Sequence, residues 1–440
     1  MLVVYHPVFG KGVVVDDRFA KTQLRVKFDL GITLWVDSSS VRVLRLHVPT
    51  EVKATPKHGV DLRARRLIEA FRLGIVPYYG VEEFTFGRDT EIEVIKRNLT
   101  EFKHKGGGML LIEGEYGAGK THMMDYIALY GLKNNFAVSR VELDPLDVAP
   151  YRPRNVYREL IRSLTYVKDG KTYGFNELMQ LATNIELPKP HLYISKLLNL
   201  LRKGEDDALI WDWIRGEPIP REYLNYRRRW RLPVILDHRP AVDVILYLLT
   251  GFSYIIRQLG SYGWVLLIDE GETLFHTYSQ MSEKFGYALY RGLVHVACGD
   301  RRLVDCKLKA GRFVDTGIGK VDEHGFLHSG VRPLPYIYEV PTYIFLVMSV
   351  TPSSSVYYEK VTELFPTSKR IRLTPLSKRD YLKMFDKIIE LYSAAYGLTY
   401  SYDQIEKVKH RTISEGKRGL RQFLKSTIDE LDILRHYGDT

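Results

Sequence analysis

Cysteine is nearly missing from this 440-residue chain: Cys298 and Cys306 are the two present, and they form neither a C-x-x-C nor a zinc-ligand spacing, although His295 is near. That argues against a disulfide-stapled scaffold and a cysteine-built metal site, and leaves two plain thiols. Long apolar runs are missing as well. Val244–Leu249 and Tyr343–Met348 are among the longest and fall far short of the roughly 20 residues a membrane span needs, so no membrane partner is expected. The chain opens directly on strand-like sequence, from which no signal peptide and a cytoplasmic location are expected. Acidic residues are outnumbered, 53 against 64 basic, for a net charge of +11. A polyanionic partner, usually nucleic acid, fits that balance, and so does solubility alone.

What is present begins with Gly114-Glu115-Tyr116-Gly117-Ala118-Gly119-Lys120-Thr121, which satisfies the phosphate-binding pattern G-x-x-x-x-G-K-[ST]. Its surroundings fit. Met109–Ile112 reads as a short buried strand, and Met123, Tyr126, Ile127 and Tyr130 repeat with helical spacing after the loop. Glycines let the backbone wrap the phosphates with N–H groups pointing inward, and the helix start adds the positive end of its dipole. Lys120 is expected on the β- and γ-phosphates of ATP, and the Thr121 hydroxyl on Mg²⁺. His122, next in the chain, is placed in the same nucleotide site.

A second element pairs with the first. Trp264–Ile268 is an apolar run ending in Asp269-Glu270, the way a central parallel strand delivers carboxylates to the edge of its sheet. Asp269 is expected to hold the Mg²⁺ shell and Glu270 to polarise the attacking water, which makes hydrolysis the better reading than binding alone.

Along the chain, residues 1–48 read as a small all-β barrel with strands near Leu2–Tyr5, Gly12–Val15, Leu24–Phe28 and Thr33–Val36. Residues 49–60 read as a linker, residues 61–375 as an α/β ATPase core with a helical insertion at about 150–250, and residues 376–440 as a helical lid. Ala137–Leu143 is expected to be the next core strand. About 125 residues then precede Asp269, and this insertion contains Tyr226-Arg227-Arg228-Arg229-Trp230-Arg231, where cations alternate with rings. That cluster fits nucleic acid, with rings stacking on bases, although a solvated or partner-binding helix face is the commoner reading of such a run.

His6–Val14 resembles the opening of Tudor-like small barrels attached to DNA helicases and transcription-coupling factors. The resemblance implies docking on a protein such as RNA polymerase, or on nucleic acid; a barrel that packs on its own ATPase fits as well. From residue 61 onward, Arg65–Pro77, Phe86–Ile92, the glycine loop and Trp264–Glu272 together resemble the P-loop ATP-binding proteins of BREX-type phage-defence systems, an offshoot of the AAA+ superfamily close to the origin-recognition ATPases. That resemblance implies an AAA+ fold with a parallel sheet and a C-terminal lid. It puts Arg88 at the border of the adenine pocket, where a plain helix start fits as well, Ser349 or Thr351 on the γ-phosphate at the end of strand Tyr343–Val350, and Arg370 or Arg372 either as a finger toward a neighbouring subunit of a homo-oligomer or on a charged strand edge. Arg421, or failing it Arg418, becomes the lid arginine over the nucleotide. It also implies DNA bound without sequence preference and a partner such as a helicase or another defence component. Two functions stay open: an ATPase motor or switch, and a nucleotide-gated binding module that does not hydrolyse.

Overall fold

The computed structural model describes residues 3–6, 10–18, 23–28, 33–38, 41–43, 61–218, 229–277, 279–305, 314–315, 319–331, 334–413 and 419–437. The expected linker 49–60 lies outside them, as do Tyr226, Arg227, Arg228, Cys306 and Arg418. Backbone contacts group the chain into two compact units, residues 1–55 with 176–236, and residues 56–175 with 237–440.

In the first unit, Val3–His6, Gly10–Arg18, Gln23–Phe28, Thr33–Asp37 and Arg42–Val43 form an antiparallel sheet. Thr33–Asp37 is at one edge and Arg42–Val43 at the other, beside Val3–His6. Period-2 alternation puts Val4, Leu24, Val26 and Val36 on one buried face. Among the described residues no pairing joins the two edge strands, so the sheet described is open. The unit's helical part contains Ile194–Arg202 and Ala208–Ile214. Trp213 Nε1 donates to the Pro233 carbonyl at 2.7 Å and the Tyr193 hydroxyl to that of Val234 at 3.0 Å, tying the helices to the segment that follows. This corrects one expectation. Trp230 is buried at 6% exposure with the Arg229 guanidinium over its ring, so it is a packing residue and has no free face for a base.

The second unit is built on a five-stranded parallel sheet whose strands, in chain order, are Gly107–Gly114, Ala137–Glu142, Trp264–Asp269, Ile344–Val350 and Arg370–Leu373. Across the sheet they lie in the order fifth, first, fourth, third, second. All pairings are parallel, so Gly114, Glu142, Asp269, Val350 and Leu373 end at one edge. The third and fourth strands are buried along their whole lengths, the mark of a sheet covered on both faces. Leu110, Ile112, Val265, Leu267, Phe345 and Val347 pack with Ile95, Leu99 and Phe102 of helix Asp89–Lys105 and with Met123, Met124 and Ile127 of helix Lys120–Lys133. Removing one such side chain to alanine costs about 2–5 kcal/mol.

The lid expected from residue 376 takes in the unit's first helix as well. Leu62–Arg72, Lys378–Tyr396, Tyr402–Ile413 and Leu420–Tyr437 share one core through Leu67, Ile68, Phe71, Met384, Phe385, Ile388, Phe423 and Ile428. Local caps set the helix starts. The Asp61 carboxylate accepts from the Arg63 and Ala64 N–H groups, and Ser377 and Asp380 form a reciprocal capping box. Gly87 has φ +64°, and a Cβ there would come within 2.6 Å of the Asp380 carboxylate, so glycine lets the chain pass the lid on its way to Arg88.

Candidate functional site

The glycine loop sits at the carboxyl end of the first core strand, beside the point where the chain leaves it for the far edge of the sheet. A ligand site is expected there in an open α/β sheet. Gly117 and Gly119 have φ +81° and +96°, a left-handed backbone that glycine adopts without strain, and Glu115, Tyr116 and Gly117 are exposed at the tip. Helix Lys120–Lys133 starts directly behind them with no side-chain cap on its first N–H groups. Those donors and the helix dipole make the place an anion site.

Lys120 is buried at 6% exposure, and its Nζ donates to the Gly114 carbonyl at 3.0 Å and to Thr351 Oγ1 at 2.7 Å. Glu272 Oε1 lies 3.7 Å from the same Nζ and accepts the Thr351 hydroxyl. Thr121 follows with an exposed side chain. Parallel register brings Asp269, fully buried, to the same edge: its Oδ1 accepts from the Ser349 hydroxyl and from the Glu270 N–H at 3.1 Å, and its Oδ2 from Arg140 at 2.7 Å. Arg140 also pairs with Asp125.

Glu270 follows in a left-handed conformation at φ 58°, unusual for a residue with a side chain, at the sharp exit from the strand. Burial raises its carboxyl above the usual range, and the neighbouring Glu272 and Asp269 charges add to the rise against the opposing pull of Lys120. A carboxylate so placed is a stronger base than one in water.

Beyond the loop a cavity opens between core and lid, with Phe84, Phe86, Met123, Leu376, Tyr381 and Met384 as apolar wall and Thr85, Arg88 and His122 as polar groups. Arg88 is buried, donating to the Ala118 carbonyl at 2.8 Å and pairing with Glu91 at 3.1 Å, so it props the glycine loop from behind. His122 meets Thr85 Oγ1 at 2.8 Å. Burial, helped by the Arg88 charge, lowers its pKa to about 4 and keeps the ring neutral at pH 7.

The structure thus brings together Gly114 to His122, Arg88, Asp269, Glu270, Ser349 and Thr351. Others lie apart. Arg421 is exposed and its stem packs on Gly74, although its neighbours Gly419 and Leu420 line the cavity. Arg370 donates to the Phe365 and Thr362 carbonyls, while Arg372 is exposed. Glu272, Arg140 and Thr85 join the site without having been singled out by the sequence. A second glutamate two residues after Glu270 and an arginine inside the otherwise mostly apolar strand Ala137–Val141 were the available signals; Thr85 had none.

A parallel sheet with a glycine loop on its first strand, a carboxylate ending its third, a hydroxyl near the end of its fourth, and a helical lid facing the loop is the arrangement of a P-loop fold built around a phosphate site. Residues 61–181 match the family model of the BREX system ATP-binding protein BrxC/D. The resemblance carried by Arg65–Pro77, Phe86–Ile92 and the glycine loop is borne out over that stretch. No curated protein matches the chain. Solved structures similar to it include the replication initiator DnaA bound to AMPPCP and single-stranded DNA, at 10% identity and TM-score 0.34, covering 82% of this chain and 66% of that one. AMPPCP-bound DnaA from Aquifex aeolicus is similar at 10% identity and TM-score 0.32, with 82% and 66% covered. Drosophila ORC bound to DNA is similar at 13% identity and TM-score 0.36, with 89% and 64% covered. The chain spans about two thirds of the length of these solved chains. Among the described residues no helix is long and apolar enough to cross a membrane.

Proposed function

We propose that the chain is a Mg²⁺-dependent ATPase that works as a motor or switch on DNA or a DNA-bound partner, in phage defence or DNA maintenance. The observation that supports it most is the edge where Lys120, Asp269, Glu270 and Thr351 converge behind a glycine loop. The loop N–H groups and Lys120 take the phosphates, and the apolar cavity takes the base. The oxygen donors at hand, the Thr121 hydroxyl and the Asp269 carboxylate, are the kind that Mg²⁺ prefers, and would hold it. When bound, the ion supplies charge neutralisation across the β- and γ-phosphates. Glu270 orients a water and accepts its proton as the water oxygen bonds to the γ-phosphorus and the bridging oxygen leaves with ADP. Thr351, hydrogen-bonded to Lys120, is the hydroxyl best placed to register the γ-phosphate, and Ser349 keeps Asp269 in place.

The positive net charge supports a nucleic-acid partner. Exposed Arg372 is the finger candidate for a neighbouring copy. One observation favours the alternative, a nucleotide-gated module that does not hydrolyse: Arg370 is committed to carbonyls within its own chain. Phosphate release measured with and without single-stranded and duplex DNA separates the two. Release stimulated by DNA supports the motor reading, and ATP binding with no release under any condition overturns it.

A further inference from the structure

We propose that His122 reads position 6 of the purine, through a ring tautomer set by Thr85, and so selects a 6-amino over a 6-oxo base. The inference rests on the nucleotide-site reading. The argument is a count of hydrogens. The Thr85 hydroxyl has one hydrogen and lies 2.6 Å from the Val81 carbonyl, a group that can only accept. That contact takes the hydrogen, because two bare acceptors at such a distance would repel. The contact at 2.8 Å between Thr85 Oγ1 and His122 Nε2 must then be made by a hydrogen on Nε2. A neutral imidazole carries one N–H, so Nδ1 is left as a bare acceptor. Among the described residues no carboxylate is hydrogen-bonded to the ring, and an imidazole without such a partner is neutral above pH 7.

Among the described residues Nδ1 has no hydrogen-bond partner, nor is it one of the buried atoms sealed without one. His122 lines the cavity together with Phe86, Met123 and Tyr381. With the phosphates at Gly117 to Lys120, the base falls in that cavity, one ribose away. An acceptor there is satisfied by the amino group of adenine. A 6-oxo group would set oxygen against the nitrogen lone pair and leave both unpaired in a largely apolar place, which costs about tenfold in affinity.

The test compares ATP with ITP, which differs from it at position 6 and in the N1 proton, by competition against a fluorescent ATP analogue. The wild-type protein should prefer ATP by about tenfold or more, His122→Ala should bring the two within about threefold, and Thr85→Val, which frees the tautomer while keeping the ring, should narrow the gap. Equal wild-type binding of ATP and ITP overturns the inference alone, as does full discrimination retained in both variants. Failure of the wild-type protein to bind either triphosphate overturns the nucleotide-site reading and this inference with it.

Discussion

Lys120 and Thr351 are bonded to each other at the edge of the sheet, Nζ to Oγ1 at 2.7 Å, and the threonine passes its own hydrogen to Glu272. Ser349, two residues earlier and still within the strand, bonds Asp269 instead. The two hydroxyls therefore have separable roles. Thr351→Ala should leave ADP affinity within about twofold and slow single-turnover hydrolysis by tenfold or more, because one interaction made only as the γ-phosphate leaves is lost. Ser349→Ala should raise the Mg²⁺ concentration needed for half-maximal activity. Identical effects in both Mg²⁺ titration and single-turnover rate would show that the hydroxyls act as one group.

Glu270→Gln keeps the size and the turn and removes the base. ATP should bind at near wild-type affinity, and hydrolysis should fall by about 10²–10⁴-fold. A wild-type rate in the variant would assign the water to another group, and Glu272, whose Oε2 is buried with no hydrogen-bond partner among the described residues, would be next to test.

The glycine loop, the Asp269 edge and three of the core strands were legible because each rests on a local pattern, a mostly apolar run followed by a glycine or an acid; Tyr343–Val350 was read as a strand through the family resemblance, and Arg370–Leu373, where arginine alternates with apolar residues, carries no such pattern. The lid was legible only in part. Helix Leu62–Arg72 reads as the start of the core by its place in the chain, yet its apolar stripe of Leu67, Ile68 and Phe71 packs on Phe385 and Phe423, more than 300 residues later. Periodicity shows that a face is apolar and says nothing of what covers it. Arg140 illustrates the same limit. Its carboxylate partners, Asp125 and Asp269, come from a helix and a neighbouring strand. Trp230 was misjudged for the opposite reason: flanking arginines suggest exposure, while a tryptophan's large apolar area favours burial.

Arg140 is the cation that balances Asp269, which is 1% exposed. Arg140→Met should lower stability by about 1–3 kcal/mol, at the low end for an interior pair because the arginine is partly solvated and Ser349 still donates to the carboxylate. Added Mg²⁺ with ADP should recover more of the melting temperature in the variant than in wild type, since the ion then supplies the missing charge. Equal thermal shifts in the two proteins would mean that Arg140 and the metal do not share Asp269.

His122 makes folding sensitive to acid in a definite window. Its pKa is about 4 in the folded chain and near 6.5 when unfolded, so the unfolded state takes up a proton first as pH falls. The stability linked to the neutral ring is complete above pH 6.5, is lost steadily between 6.5 and 4, and changes no further below. At pH 5 the loss amounts to about 1–2 kcal/mol. His122→Gln keeps a donor for Thr85 and cannot titrate in this range. Urea unfolding at pH 7 and pH 5 should therefore show a smaller drop for the variant than for wild type by that amount. Parallel drops would place the imidazole in water, with an ordinary pKa.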